Sequence, residues 1–265
     1  MQRKFPRNPQ IVALPSGNLT TLGPWEVVRE LLLPAPWFLV SISFASHGLY
    51  LAALPASFFF FLTGLRQVHD AWHRTLGVPR GACHVIMVVL SVLMLGSMHS
   101  VRVTHMLHHR RCLEEDDVEG RSARGSALGA ILTGPLFFFM KQAEGWRQGS
   151  RRDRSWIAFE LLINVGWVVI VSGVLHVSAL EYHIAAMAIG QCLFPFFSVW
   201  LVHRGCDGSH AIARTERGRL KNLLSCGMLY HVEHHLFPGV PTCRLPRIAE
   251  RLDRTYPELG RLKVL

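Results

Sequence analysis

The sequence is short of acidic residues and of cysteines. It also lacks the residue patterns of a nucleic-acid-binding protein and of a disulfide framework. There are 18 acidic residues against 28 lysines and arginines, so the formal net charge is +10. The arginines flank apolar stretches and form no basic and aromatic groove pattern, so we expect no nucleic-acid partner. The 6 cysteines form no CxxC pair, which argues against a disulfide or zinc-knuckle framework.

Other absences limit the organisation of the chain. No HExxH occurs, so a zinc protease of that type is excluded. No linker rich in Pro, Gly or Ser and no internal repeat is present, which predicts one domain over residues 1–265. The basic segment Met1–Pro24 lacks an apolar core of its own. We therefore expect no cleavable signal there, and expect the first hydrophobic stretch to act as an uncleaved anchor.

Long apolar runs are abundant. Hydrophobic residues make up 50% of the chain, and no Lys, Arg, Asp or Glu occurs between Glu30 and Arg66. That stretch has room for two short spans turning near residues 46–49, because a membrane helix needs about 20 residues. A second apolar stretch provides two more spans, at about Trp156–Leu175 and His183–Val202. The pattern predicts an all-α integral membrane protein with about four transmembrane helices.

Charge sets the expected orientation. The turns within both predicted hairpins carry no Lys or Arg, whereas the middle loop and both tails are rich in arginine. The positive-inside rule then places both termini and the middle loop in the cytosol. The apolar runs Cys83–Met98 and Leu128–Met140 are short, and we interpret them as one or two helices at the cytosolic interface.

Three histidine boxes are the main chemical signal. They are HDAWH with His69 and His73, HMLHH with His105, His108 and His109, and HVEHH with His231, His234 and His235. On a helix, these spacings gather the imidazoles of each box on one face. All three boxes fall on the predicted cytosolic side, where they would form a cap over the spans. Eight imidazoles exceed what one tetrahedral ion can use, so the pattern predicts two redox metal ions, with iron favoured.

Such a site needs supporting residues, because ligand histidines require acceptors for their outer ring nitrogens. The nearest candidates in sequence are Asp70, Glu233 and Asp117. Glu160 and Asn164 are costly in lipid, so we expect them to face the bundle interior, near the site or in an interhelical hydrogen bond.

The order HxxxH, HxxHH, HxxHH, and above all the block from Tyr230 to Glu250, resembles the membrane fatty acid desaturase superfamily over about residues 66–252. The resemblance implies a non-heme di-iron centre with O₂ as co-substrate and a separate electron donor such as ferredoxin or a cytochrome. It also implies a ninth ligand, His203, at the end of the last span. Val199 and Gly227 stand where many relatives have asparagine, which leaves the coordination of the more weakly bound metal open.

The sequence is compatible with three functions. An acyl-lipid desaturase is favoured by the HLFPGVP motif, with a hydrophobic alkyl chain or lipid as substrate. A hydroxylase or ketolase of a carotenoid or alkyl chain is favoured by the compact length and by HDAWH, which is similar to HDAMH in carotenoid ketolases. A histidine-rich metal-binding or transport protein is the non-enzyme alternative, although it predicts ligands near the bilayer midplane.

The remaining histidines are predicted not to be ligands. Three lie near the far side of the membrane and three flank the interfacial helix or follow in a polar loop: His47, His176, His183, His84, His99 and His210. Trp72, inside the first box, is the aromatic residue most closely tied to a substrate pocket, although it could instead face lipid.

Overall fold

The computed structural model describes residues 17–208 and 211–264 of the chain. Of the described residues, 74% are helical, and they contain no β-strand, only an isolated bridge between Thr215 and Lys263. The predicted all-α class is confirmed. His210 and most of the basic N-terminal segment lie outside the described residues.

The helices that position the site run through the whole described chain. In chain order they are α1 (Pro24–Leu32), α2 (Ala35–Ser46), α3 (Tyr50–His73), α4 (Arg80–Met94), α5 (Met98–Arg111), α6 (Ala127–Leu132), α7 (Gly134–Gln148), α8 (Arg151–Ile170), α9 (Ser178–Phe194), α10 (Arg219–Leu224), α11 (His231–Leu236) and α12 (Leu245–Thr255).

Four helical segments within the described residues are long and apolar enough to cross a membrane, as predicted. They are Pro24–Ser46, Tyr50–His73, Arg151–Leu175 and Ser178–His203. The second is the most enclosed, with 56% of its most apolar window buried against 17% to 22% in the others. It therefore forms the centre of the bundle, while the other three present most of their apolar surface outward, as lipid-facing helices do.

Helices α4 and α5 meet at a sharp bend of 110°. The bend requires left-handed backbone at Leu95 (φ 56°), and Gly96 follows with φ 149°. A side chain at Gly96 would also meet Phe138. Consequently the apolar run Cys83–Met98 does not continue straight into the second histidine box, and α5 approaches the other boxes at a new angle.

Helix α7 packs closely against two neighbours. An added Cβ at Gly134 would fall 1.8 Å from the carbonyl oxygen of Cys192, and one at Gly145 would fall 2.1 Å from Oγ of Ser100. These contacts join α7 to the last span and to α5, and so limit how far the second histidine box can move.

The C-terminal segment packs across the ends of the spans. Its core is apolar and includes Ile212, Val232, Leu236, Leu245 and Leu252. Because α11 is only six residues long, it depends on this packing for its stability. The third histidine box is thus positioned by tertiary contacts.

Candidate metal centre

Helix α3 ends with the first histidine box. His69 and His73 are one turn apart on the same face, and Arg74 ends the helix in a left-handed conformation with φ 60°. The box therefore belongs to the last turns of the second span. His69 is buried and His73 partly buried.

The second box lies on α5, and side chains of the third span hold the first turn of this helix by hydrogen bonds. Glu160 of α8 accepts hydrogen bonds from Ser97 Oγ at 2.6 Å and from the backbone N–H of His99 at 3.0 Å. One turn later, Arg102 donates to Asp153 at 2.6 Å. These bonds hold the end of α5 that precedes its three box histidines.

Five imidazoles meet in a first cluster. Their Nε2 atoms form a continuous series of short contacts. The distances are 3.0 Å from His69 to His234, 2.8 Å from His234 to His109, 3.1 Å from His109 to His105 and 3.1 Å from His105 to His73. One ligand atom from each ring lies within 4.8 Å of all the others. The cluster combines residues from all three boxes.

Four further imidazoles meet in a second cluster. His203 is the link: its Nε2 lies 2.9 Å from that of His231 and 3.2 Å from that of His108. His235 Nε2 lies 3.2 Å from His231 Nε2. Cys112 also belongs here, because its Sγ and the ligand atoms of His108, His203 and His235 lie within 4.8 Å of one another. The nine predicted histidines thus divide into groups of five and four.

Three of these rings have an acceptor for their outer nitrogen. These pairs are His105 Nδ1 with Glu119 Oε1 at 2.9 Å, His108 Nδ1 with Asp117 Oδ2 at 2.7 Å, and His203 Nδ1 with the Ile212 carbonyl at 2.7 Å. A neutral imidazole that donates from Nδ1 presents an unprotonated Nε2 on its other side. In that tautomer His108 and His203 face each other with two lone pairs 3.2 Å apart, an arrangement that a cation between them stabilises.

Burial and nearby charges set the protonation state of the rings. Burial and the neighbouring imidazoles lower the pKa of His234 and His235 well below the ordinary value, so these rings are neutral. For His108, burial lowers the pKa, but Cys112 and Asp117 together hold it well above the ordinary value. A positive charge on or beside this ring, from a proton or from a bound cation, is therefore favoured.

Two of the predicted supporting carboxylates bind other partners. Asp70 Oδ1 accepts from Thr75 Oγ1 at 3.1 Å and from Thr242 Oγ1 at 2.8 Å. Glu233 accepts from Thr215 Oγ1 at 2.6 Å and from Arg217 at 2.7 Å. These bonds connect the first and third boxes to the C-terminal segment. Of the three predicted carboxylates, Asp117 is the one that the structure places on a box histidine.

Sequence reasoning missed the buried pair Glu119 and Lys141. Lys141 Nζ donates to Glu119 Oε2 at 2.9 Å, and Lys141 is 3% exposed. Burial alone would raise the pKa of Glu119, but Lys141 and the nearby histidines hold it below its ordinary value, so the carboxylate is ionised. A lone lysine in the apolar run before Gln142 was the only available sequence signal.

The other histidines have different partners. His84 Nδ1 lies 2.8 Å from His99 Nε2, and His99 Nδ1 lies 2.7 Å from Glu160. His183 Nε2 bonds the carbonyl of Leu93 at 2.8 Å, and none of these rings joins a cluster. Asn164 donates to Ser91 Oγ at 2.8 Å, so Glu160 and Asn164 of the third span both make interhelical hydrogen bonds.

Trp72 lies beside the first cluster and is shielded from lipid. Its ring centroid is 5.3 Å from that of His105 and 5.8 Å from that of His69, and it is 3% exposed. It also lines a cleft of about 230 Å³ with Arg74 and His84 among the wall residues. Trp72 therefore borders both the first cluster and this cleft, although no box histidine lines the cleft.

Comparisons with known proteins show which family and which relatives this chain resembles. The family model for fatty acid desaturase matches residues 42–263. A beta-carotene ketolase of Paracoccus sp. (strain N81106 / MBIC 01143) is 28% identical over 259 residues, covering 91% of this chain and 98% of the relative. A beta-carotene ketolase of Paracoccus sp. (strain PC1) is 27% identical over 233 residues, covering 84% of this chain and 86% of the relative.

Proposed function

The chain belongs to the fatty acid desaturase family, and from that premise we propose that it is a membrane-bound oxidoreductase that uses dioxygen and two iron ions. One iron would be held by the five-histidine cluster: His69, His73, His105, His109 and His234. The other would be held by the second cluster: His108, His203, His231 and His235. The observation that carries this proposal is the meeting of nine imidazoles from four separate segments in two compact groups.

The donor set fits iron. Imidazole suits iron, copper, zinc and nickel, and neutral nitrogen donors hold iron in both of its common oxidation states. The acceptors on Nδ1 of His105, His108 and His203 fix ring orientation, as is usual for metal-binding histidines. When bound, the two ions would supply the reduction of dioxygen that oxidation of an unactivated C–H bond requires.

The substrate that we propose is a carotenoid, with a ring methylene converted to a ketone. The support is the similarity to two beta-carotene ketolases over 91% and 84% of this chain. Converting CH₂ to C=O in two oxygenation steps consumes two O₂, four electrons and four protons, and releases three water molecules. The electrons must come from a separate donor, for which we propose a ferredoxin or a cytochrome.

Acyl-chain desaturation is the second candidate, and a specific observation favours it. The block from Tyr230 to Glu250 resembles acyl desaturases, and the matched family model is named for that activity. Desaturation and hydroxylation begin with the same hydrogen abstraction and differ in whether a second hydrogen leaves or oxygen is added. The choice depends on substrate placement within the same kind of site.

A metal transporter would need ligands along a path through the membrane. Here both clusters lie at the C-terminal ends of the second and fourth candidate spans, beside the arginine-rich segments. We propose that this side, with both termini, faces the cytosol, where a basic surface would attract an acidic electron carrier. Reporter fusions to each terminus and to the turn at residues 47–49 would test that orientation.

The proposed activity can be tested by expressing the chain in cells that accumulate a cyclic carotenoid, with the His234→Ala variant as a control. Pigments and total acyl chains are then profiled by mass spectrometry. A new ketone-bearing pigment that depends on His234 would support the ketolase proposal. New double bonds in acyl chains, without such a pigment, would favour the desaturase proposal instead.

Metal analysis of the purified protein, repeated after iron reconstitution, should find two irons per chain. Failure to bind iron would overturn the oxidase proposal as a whole.

A further inference from the structure

The two histidine clusters differ in their number of imidazoles. The first has five converging rings, whereas the second has four. Val199 and Gly227 add no donor, because the first has an apolar side chain and the second has none. The second cluster therefore has fewer nitrogen donors than the first, and its remaining neighbours decide whether another donor is available.

Cys112 is that neighbour. It lies one turn after His108 at the C-terminal cap of α5, and its Sγ is 3.8 Å from His108 Nε2. Its Sγ and the ligand atoms of His108, His203 and His235 all lie within 4.8 Å of one another. Sulfur and nitrogen atoms at such separations can share one metal ion, since metal–ligand bonds to these atoms are about 2.0–2.3 Å long.

The histidines around this thiol are more than nine-tenths buried, with 1% exposure for His108 and His203 and 7% for His235. Their Nε2 atoms point toward one another and toward the sulfur, and have no carboxylate or carbonyl partner among the described hydrogen bonds. Buried nitrogens without such a partner are costly unless a proton or a cation compensates them. These rings are an observation independent of the cysteine that also points to a ligand.

The competing role for Cys112 is a weak hydrogen bond. Its Sγ lies 3.7 Å from the carbonyl oxygen of Ile212, which already accepts a much shorter bond from His203 Nδ1 at 2.7 Å. The thiol is a weak donor, so this contact adds little. The C-terminal end of a helix carries partial negative charge, and a cation beside Cys112 is favoured by that charge as well.

From this geometry we propose that Cys112 is a thiolate ligand of the second cluster and shares a divalent transition-metal ion with His108, His203 and His235, beside which His231 contacts His203 and His235. The inference rests on the proposed metal centre and extends it. On binding, the thiol proton leaves to solvent and sulfur donates its electron pair to the ion. The two metal positions would then differ chemically, with nitrogen donors alone at one and an anionic sulfur at the other.

The test uses the purified full-length protein in detergent, freed of metal and titrated with Co²⁺, which reports both its donor geometry and sulfur ligation by absorption. Cys112→Ser is compared with Cys192→Ser, a partly buried thiol that belongs to neither cluster. Wild type and Cys192→Ser should show a near-ultraviolet thiolate-to-cobalt band. In Cys112→Ser that band should be lost completely, while the weaker ligand-field bands and the stoichiometry of two ions remain.

The outcomes separate this inference from the proposed function. Ligand-field bands without a thiolate band in wild type, or a thiolate band that persists in Cys112→Ser, would overturn the role of Cys112 and leave the histidine centre intact. Absence of Co²⁺ and Fe²⁺ binding by wild type would overturn the metal centre itself, and this inference with it.

A second measurement needs no variant. Wild-type protein is treated with iodoacetamide with and without Co²⁺, and each cysteine is quantified by mass spectrometry. Bound metal should protect Cys112 and leave the modification of Cys192 unchanged. Equal modification of Cys112 in both conditions would show that its sulfur is not a ligand.

Discussion

Glu119 connects the second histidine box to a buried lysine: its Oε1 lies 2.9 Å from His105 Nδ1, and its Oε2 accepts from Lys141 at 2.9 Å. The lysine belongs to α7 and the histidine to α5, so one carboxylate fixes the orientation of a ring and the spacing of two helices. A carboxylate in this position also increases the basicity of the imidazole toward a metal.

We expect Glu119→Gln to weaken metal binding by about 10- to 100-fold, the usual effect of removing an outer partner of a metal-binding histidine. Titration of the metal-free protein with Co²⁺ measures the change. Glu115→Gln, an exposed acidic residue in the same loop, should bind metal like wild type. Equal affinity of the Glu119 and Glu115 variants would remove the orienting role of Glu119.

We expect His234→Ala to abolish turnover and lower iron content, because its Nε2 contacts both His69 and His109 in the first cluster. His47→Ala is the matched control: that ring is exposed and bonds the carbonyl of Ser43 at 2.8 Å. It should retain both activity and iron. Product analysis in cells and metal analysis of the purified variants provide the measurements, and full turnover by the His234 variant would contradict the ligand assignment.

Glu160→Leu should destabilise the protein by about 1–3 kcal/mol for each buried donor left without a partner. The substitution removes the acceptor of Ser97 and His99 at the start of α5. Thermal unfolding in detergent should show a lower midpoint. Ser155→Ala, on the exposed face of the same helix, should change the midpoint little, and a similar loss in both variants would point to helix α8 itself as the cause.

Gly134→Ala should destabilise the junction between α7 and the last span by about 1–3 kcal/mol, the usual cost of overpacking. The added Cβ would overlap the carbonyl of Cys192. At Gly166 nothing lies within 4 Å of an added Cβ, so Gly166→Ala should stabilise α8 by about 0.5–1 kcal/mol. The two midpoints should therefore move in opposite directions, and a stabilised Gly134 variant would refute the close approach.

Cys206 should react slowly with iodoacetamide, because burial raises the pKa of its thiol to about 11. The thiolate is the reactive form, so at neutral pH the folded protein should react about 10- to 100-fold more slowly at this position than the unfolded chain. Quantitative mass spectrometry of Cys206 in native and denaturant-unfolded protein measures the ratio. Equal rates would mean that the thiol is not shielded as described.

The sequence determined that the protein is an all-α membrane protein, and it determined which histidines share a helix face. Uncharged runs near the length of a bilayer fixed four candidate spans, because a backbone in lipid must satisfy its own hydrogen bonds. Helical spacing predicted shared faces within each histidine box, since i, i+3 and i+4 are neighbours on any helix. The single domain over residues 1–265, the iron ligands and the cytosolic orientation remain predictions.

Only the tertiary structure decided how the histidines are shared. Sequence spacing relates His105, His108 and His109 within one box, but in the folded chain His108 meets His203 and the other two meet His234 and His73 in the other cluster. Cys112 lies one turn after His108 on the same helix, but its neighbours His203 and His235 come from other segments, and the packing of α7 pairs Lys141 with Glu119. These contacts join residues distant in the chain, and no local periodicity encodes them because they depend on how helices approach one another in space.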